Sequence, residues 1–470
     1  MFPSGVLNTD VTGVEERHRE RVVQLILIVY YLLIFEGVLR KWVLPHWGRA
    51  LFFLRDPFVL AIYFLVVSRR TRLRYGLLEA GCLFGIGAIL LALLQRLWTS
   101  GDGLPLPFIL QAYGWRNYFF YLPLAFVMGR YLTLPDLERL SRVTMRVSVA
   151  MAALALVQFA SPHMAPINAG LGDSPEELYR NQGLPGGYVR PFGTFTSSVG
   201  MTAFTVSALA LSVPLWLVRP TRQSSKRWLD LTCAVVGPFS CLALSGSRGA
   251  LVGGALVVLL GATGLMLAPG VVGLKAISII ATVSISAILT APLIFPQAVA
   301  AFAERWADAG EHEQQEYGFG GIVGRAIDEV FRFRVLFDKT PPEGFGLGSA
   351  GNAAWNLGVR SQVIAFTTEE EYGAAETDWG RNVLELGPLF GTTFIFYRIA
   401  LTLWLAKQCL SATIRSGHPL PWFLFTYALL TLLNGQITAN GTLNGYGWVF
   451  SGFCLAAVYS VKRVKFGAHT

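Results

Sequence analysis

The sequence predicts an all-α polytopic membrane protein with about 12 transmembrane helices. Three observations point there. Hydrophobic residues make up 53% of the 470 residues and charged residues only 14%, where a soluble chain carries roughly 25%. Mean hydropathy is +0.50. Apolar runs of about 18 residues or more recur along the whole length, continuous rather than alternating. Backbone groups in lipid must be satisfied within a helix or a closed barrel, and continuous runs leave helices.

Taken in order, a polar segment at 1–21 ends in "EERHRER". No small-residue cleavage site follows a short apolar core there, so the first apolar run is expected to stay as an anchor. Spans one to nine occupy 22–295, at about 22–39, 51–67, 77–95, 117–132, 147–160, 197–218, 229–245, 249–268 and 274–295. A loop at about 161–196 separates spans five and six, and a long loop, about 296–382, follows span nine. Spans ten to twelve lie within 383–461, at about 383–406, 421–439 and 446–461, before a tail at 462–470.

Charge sets the orientation. The formal net charge of +9 raises a nucleic-acid reading, but the distribution argues for the positive-inside bias of a membrane protein. With the N-terminus in the cytoplasm, 21 of the 38 Lys+Arg fall in cytoplasmic segments, almost all short, such as "SRRTRLRYG", "RPTRQSSKRW" and "VKRVK". Sixteen fall outside, spread over much more chain. Both termini are therefore predicted inside, with no nucleic acid as partner. The five cysteines sit in or beside apolar runs and form no CxxC pair, which suggests neither disulfides nor a metal site.

The long loop is acidic where the cytoplasmic loops are basic, with 14 Asp+Glu against 7 Lys+Arg in 296–381. Within it, "IVGRAIDEVFRFRVLFD" (322–338) reads as a helix with Ile327, Val330 and Phe331 on one face and Arg325, Glu329 and Arg332 on another. That helix should stop at "KTPP", and a glycine turn, "EGFGLGSAGN", follows. Glu369–Glu371 reads as a solvated acidic run.

This topology puts a set of arginines at the outer face. Arg248 follows "LSGS" between two apolar runs; Arg40, Lys41 and Arg49 lie between spans one and two; Arg55 lies about one turn into span two. Arg116, Arg190 and Arg381 precede spans four, six and ten, and Arg398 is deeper in span ten. Ionisable groups at this depth are costly and normally face a partner or a wet cavity. One reading pairs them internally, Arg55 with Glu36 or Asp56. The other lets several enter one cavity, where arginine is the preferred bidentate partner of phosphate. "SGSRG" likewise reads either as a tight turn with a snorkelling arginine, or as small residues exposing the N-terminal amides of span eight to an anion.

"LSGSRGALVGG", "RPFGTFTSSVGMTAF", a long outer loop with "GRAIDEVFRFRVLF" and "GFGLGS", and "RNVLELGPLFGTTFIFYR" together resemble the O-antigen ligase and O-antigen polymerase superfamily. "FEGVLRKWVLP" and "LFFLRDPFVLAIY" resemble its exopolysaccharide polymerase-like branch. The resemblance spans most of the chain. It implies a GT-C-like fold in the bacterial inner membrane and a glycan donor on undecaprenyl pyrophosphate at the periplasmic face. The glycan passes to another lipid-linked repeat unit (polymerase) or to lipid A–core (ligase). No cofactor, nucleotide sugar or divalent metal is implied, and the sequence shows no DxD, P-loop or HExxH. Chain-length regulators and export proteins are the implied protein partners, beside the lipid bilayer.

The chemistry expected is leaving-group stabilisation by arginines and deprotonation of an acceptor hydroxyl by a base. Arg248 and Arg190 are the first candidates for pyrophosphate contact, followed by Arg55, Arg116 and Arg325. Ligase-like members assign the base to a histidine just before the "LELG"-like stretch. Here that stretch reads "AAETDWGRN", which leaves Glu376 or Asp378 as candidate bases and weakens the ligase expectation. His312 in "EHEQQEY" has acidic neighbours and reads as solvated. A flippase or other carrier suits twelve spans with both ends inside, yet the two related halves common in carriers are absent. A non-enzymatic partner of a polysaccharide export complex is a third class.

Overall fold

The computed structural model describes residues 9–467 apart from 49, 70–72, 74, 99–106, 173, 180–182, 219–226, 268–271, 318–330 and 352–367. Among them the chain is a helical membrane protein with no strands and one isolated bridge, Gly183 to Val189. The first six helices are α1 (Thr9–Val38), α2 (Asp56–Ser68), α3 (Gly76–Trp98), α4 (Phe108–Trp115), α5 (Leu122–Tyr131) and α6 (Leu134–Ala160). Next come α7 (Ser198–Leu217), α8 (Arg227–Leu244), α9 (Arg248–Met266), α10 (Val272–Ile294) and α11 (Pro296–Tyr317). After the long connection follow α12 (Glu369–Glu376), α13 (Asp378–Leu386), α14 (Pro388–Ser416), α15 (Leu420–Asn434) and α16 (Gly441–Gly467). Nine helices among the described residues are long and apolar enough to cross a membrane, and Leu420–Leu433 is a shorter apolar helix.

Burial sorts these helices. The apolar window of α7 is 78% buried and that of α10 only 6%. Helix α7 therefore runs through the middle, against α8, α9 and α15, while α10 turns Ile288, Leu289 and Leu293 outward. Lipid tails are as apolar as these side chains, so outward leucines cost nothing there. One end of the bundle carries Arg19, Arg139, Arg142 and Arg146 and is basic. The opposite end carries the described parts of the connections 161–196 and 296–387.

Three boundaries differ from the sequence reading, each for a local reason. Residues 134–146, expected as a cytoplasmic loop, are the first turns of α6. Asp136 accepts the Thr133 backbone N–H at 2.9 Å, Pro135 occupies the first turn, and Arg146 pairs with Asp230 of α8 at 2.6 Å. The fourth predicted span is interrupted by a π turn at Arg116–Phe120 between α4 and α5. The tenth begins at Pro388, because Gly387 at φ +83° ends α13.

The long connection packs into the bundle. In its glycine turn the Phe345 and Gly346 N–H groups donate to the Leu384 and Glu385 carbonyls of α13 at 2.7 and 3.1 Å. Gln95 of α3 donates to the Glu343 carbonyl at 2.5 Å. Thr368 and Glu371 form a capping box at the start of α12, and Glu371 also pairs with Lys339 at 2.5 Å. The expectation of a solvated run thus fails at Glu371, because its carboxylate answers a helix terminus and a lysine brought by the fold. Residues 332–336 form a tight 3-10 turn. Arg325, with Ile327, Glu329 and Val330 of the predicted 322–338 helix, and the side chain of His312 lie outside the described residues.

Gly387→Ala tests this packing. Its φ is left-handed, and a Cβ there would collide with the Pro342 carbonyl oxygen. Strain of this kind costs about 1–3 kcal/mol, so the detergent-solubilised variant should unfold at a lower temperature by circular dichroism.

Candidate functional site

The turn "SGSRG" joins α8 to α9. Gly246 takes φ +55°, the Ser247 hydroxyl accepts the Ala250 N–H at 3.3 Å, and it contacts the Thr202 hydroxyl at 3.1 Å. The turn is thereby capped and fixed to α7, and Arg248 starts α9. Two further arginines come to this turn. Arg305, on α11, donates to the Gly246 carbonyl at 3.1 Å. Arg190 arrives on the segment before α7, which is tied down on three sides. Gly193 donates to Gln158 Oε1 at 2.7 Å, Lys41 Nζ donates to the Gly193 carbonyl at 3.0 Å, and the Thr194 hydroxyl donates to the Ile34 carbonyl at 2.5 Å. Lys41 is buried with its ammonium 4.0 Å from the Phe192 ring centroid.

Arg190, Arg248 and Arg305 are each half-buried, and their charges act on one another. Burial first, and then the Arg305 charge, pulls the Arg190 guanidinium down to about 10. Burial and the Arg248 charge pull Arg305 below its ordinary value. The Nε of Arg190 is buried with no hydrogen-bond partner. Among the described residues no carboxylate pairs with Arg190 or Arg305. Bringing Arg190 and Arg305 close with no carboxylate on either among the described residues is unfavourable on its own, and it favours an anion.

The other two described arginine candidates sit in carboxylate pairs. Arg55 Nε donates to Glu36 at 2.8 Å, and Arg40 reaches the other oxygen of Glu36 at 3.1 Å. Arg116 holds Asp56 with two bonds of 2.8 and 2.7 Å, which Tyr121 joins at 2.7 Å. Arg305, which sequence reading missed, links the two first candidates: its charge acts on Arg190, and the Arg248 charge acts on it. Nothing local marks Arg305 in "AFAERWADAG"; only the return of α11 to the turn singles it out.

The two candidate bases have different settings. Glu376 is exposed at the end of α12, with Arg381 at 3.8 Å. Asp378 is buried: Arg398 donates to one oxygen, and Thr438 donates to the other from its N–H at 3.0 Å and its hydroxyl at 2.6 Å. Arg398 spends its remaining donors on the Leu432 carbonyl at 3.1 and 2.6 Å. Asp378 is a junction of α13, α14 and the turn after α15. Neither acid contacts the three arginines among the described residues.

A third acid, Glu385 in "LELG", is buried in α13 and accepts the Ala350 N–H at 3.1 Å. Burial pushes its carboxyl up to about 7, against the lowering by the Gly348 amide and the Arg381 charge. No family model matches this chain, and no curated protein matches it.

Two outcomes follow. Asp378→Ala leaves Arg398 buried without its anion, which costs about 3–5 kcal/mol; a second change, Arg398→Met, should recover part of the lost melting temperature. For Glu385 the folded pKa of about 7 exceeds the ordinary 4.5. The folded state then holds the extra proton, so stability falls as pH rises between those values, by about 3 kcal/mol in total. Melting temperatures across pH 4.5–8 should show that slope, and Glu385→Gln should flatten it.

Proposed function

We propose that this protein is a membrane glycosyltransferase that polymerises undecaprenyl-pyrophosphate-linked repeat units at the periplasmic face of the bacterial inner membrane. The observation that carries the reading is the gathering of Arg190, Arg248 and Arg305 near one turn, with no carboxylate on Arg190 or Arg305 among the described residues. A pyrophosphate at head-group level supplies the missing negative charge, and arginine suits its geometry. The ordered motifs shared with O-antigen polymerases and ligases supply the chemical class. On this reading the chain has twelve spans in a GT-C-like arrangement, both termini cytoplasmic, and 161–196 and 296–382 periplasmic.

The reaction needs one bond made and one broken. The acceptor hydroxyl attacks the anomeric carbon of the donor sugar, and the bond to the pyrophosphate oxygen breaks with its electron pair. The three arginines stabilise the charge that grows on the leaving lipid pyrophosphate. The hydroxyl proton passes to Glu376, the exposed carboxylate, while Asp378 stays in its ion pair and holds α13 in place. Arg55 and Arg116 shape the neighbouring wall through Glu36 and Asp56 and act at one remove from the substrate.

The test is the mass of undecaprenyl-linked glycan in a strain lacking the protein, complemented by variants. Wild type should restore long chains, and the empty strain should accumulate single repeat units. Arg248→Ala and Arg305→Ala, present at normal level in the membrane, should lower polymer formation on the order of 100-fold each. Full polymer in Arg248→Ala refutes its role. Long finished chains on the lipid in the empty strain would make the protein a ligase. No accumulation of either kind would point to a carrier or an export partner.

A further inference from the structure

A cavity of about 750 Å³ lies between α1 and α6 at the basic end, opposite the arginine turn. The two helices meet deeper down, where the Tyr30 and Thr144 hydroxyls are 3.1 Å apart, and again at the rim, where Arg19 reaches Asp136 at 3.0 Å. The volume is within the range of small-molecule sites. Its deeper wall is apolar, formed by Val23, Leu27 and Val143, and its rim is charged with both signs.

Part of that rim is already neutralised. Arg19 holds Glu16 at 2.9 Å and Asp136 at 3.0 Å. Of the remainder, one charged side chain on each helix is open. On α6, exposed Arg139 makes no hydrogen bond or ion pair among the described residues. One turn on, Arg142 is taken up by two carboxylates, 3.9 Å from Glu138 Oε2 and 4.0 Å from Asp230 Oδ2. Across the cavity on α1, exposed Glu20, like Arg139, makes no hydrogen bond or ion pair among the described residues. One guanidinium, Arg139, and one carboxylate, Glu20, are thus left open on the two helices above an apolar wall. A ligand matching this must carry a phosphate, a cationic group a few atoms away, and a hydrocarbon tail.

We infer that this cavity binds the head group of a zwitterionic aminophospholipid. The phosphate sits on Arg139, the ammonium on Glu20, and the acyl chains follow Val23, Leu27 and Val143 into the bilayer. The preference for both charges separates it from the basic stripes that bind anionic lipid by charge alone. The inference is independent of the glycosyl-transfer reading, since the site lies at the other end of the helices.

Native mass spectrometry of the delipidated full chain in detergent tests it, with dioctanoyl phosphatidylethanolamine and dioctanoyl phosphatidylglycerol as probes. The ethanolamine lipid should bind at least about tenfold more tightly, a difference of about 1.4 kcal/mol. Arg139→Ala should weaken both lipids by about tenfold, and Glu20→Gln should abolish the preference between them. Both side chains are exposed, so neither change disturbs packing, and unchanged melting temperatures check this. Equal binding of the two lipids, wild-type binding in Arg139→Ala, or an intact preference in Glu20→Gln overturns the proposal.

Discussion

A guanidinium at membrane depth must find an anion, a carbonyl or water, because its desolvation costs several kcal/mol. The end of this bundle opposite the basic helices is organised by that demand. Arg398 reaches Asp378 and the Leu432 carbonyl, and so clamps α13, α14 and the turn after α15 together. Arg55 and Arg40 share Glu36, which joins the end of α1 to the start of α2. Arg116 holds Asp56 and fixes the π turn between α4 and α5.

Against these joints, the Arg190–Arg248–Arg305 group stands out by its composition. The paired arginines resolve their charge with carboxylates, whereas among the described residues Arg190 and Arg305 have none and feel another arginine's charge instead. The scaffold around it is well determined. Gln158 and Lys41 hold the segment that carries Arg190, and Ser247 caps the helix that carries Arg248. Cations on a fixed scaffold are preorganised for an anion, and on the proposed reading that anion is the departing pyrophosphate.

The long connection between α11 and α14 contributes through its glycines and its buried acid. Its turn threads between α4 and α13, and Glu385 ties it down by accepting the Ala350 amide. Residues 341–351 and 368–387 are therefore bundle structure, not a free flap. The exposed Glu376 is carried on this same rigid base, two residues from the Asp378 joint.

The helical membrane class was legible in the sequence, because hydrophobic run length and the scarcity of charge depend on the solvent the chain must meet and not on how its helices pack. The tight turn at "SGSRG" was legible for a local reason: small residues and a serine cap act within four residues. Arg248 and Arg190 could be chosen because cations beside apolar runs are costly wherever they fall. Their partners could not. Whether Arg55 meets Glu36 or a ligand, whether Asp378 is a free base or one half of an ion pair, and whether Arg305 returns to the Gly246 turn are contacts between residues 19, 20 and 59 positions apart. The start of α6 was misread because its charges answer α8, a helix some 80 residues away. Local pattern sets which groups need a partner; only the tertiary structure brings the partner, because ion pairs and hydrogen bonds act over a few ångströms of space and not along the chain.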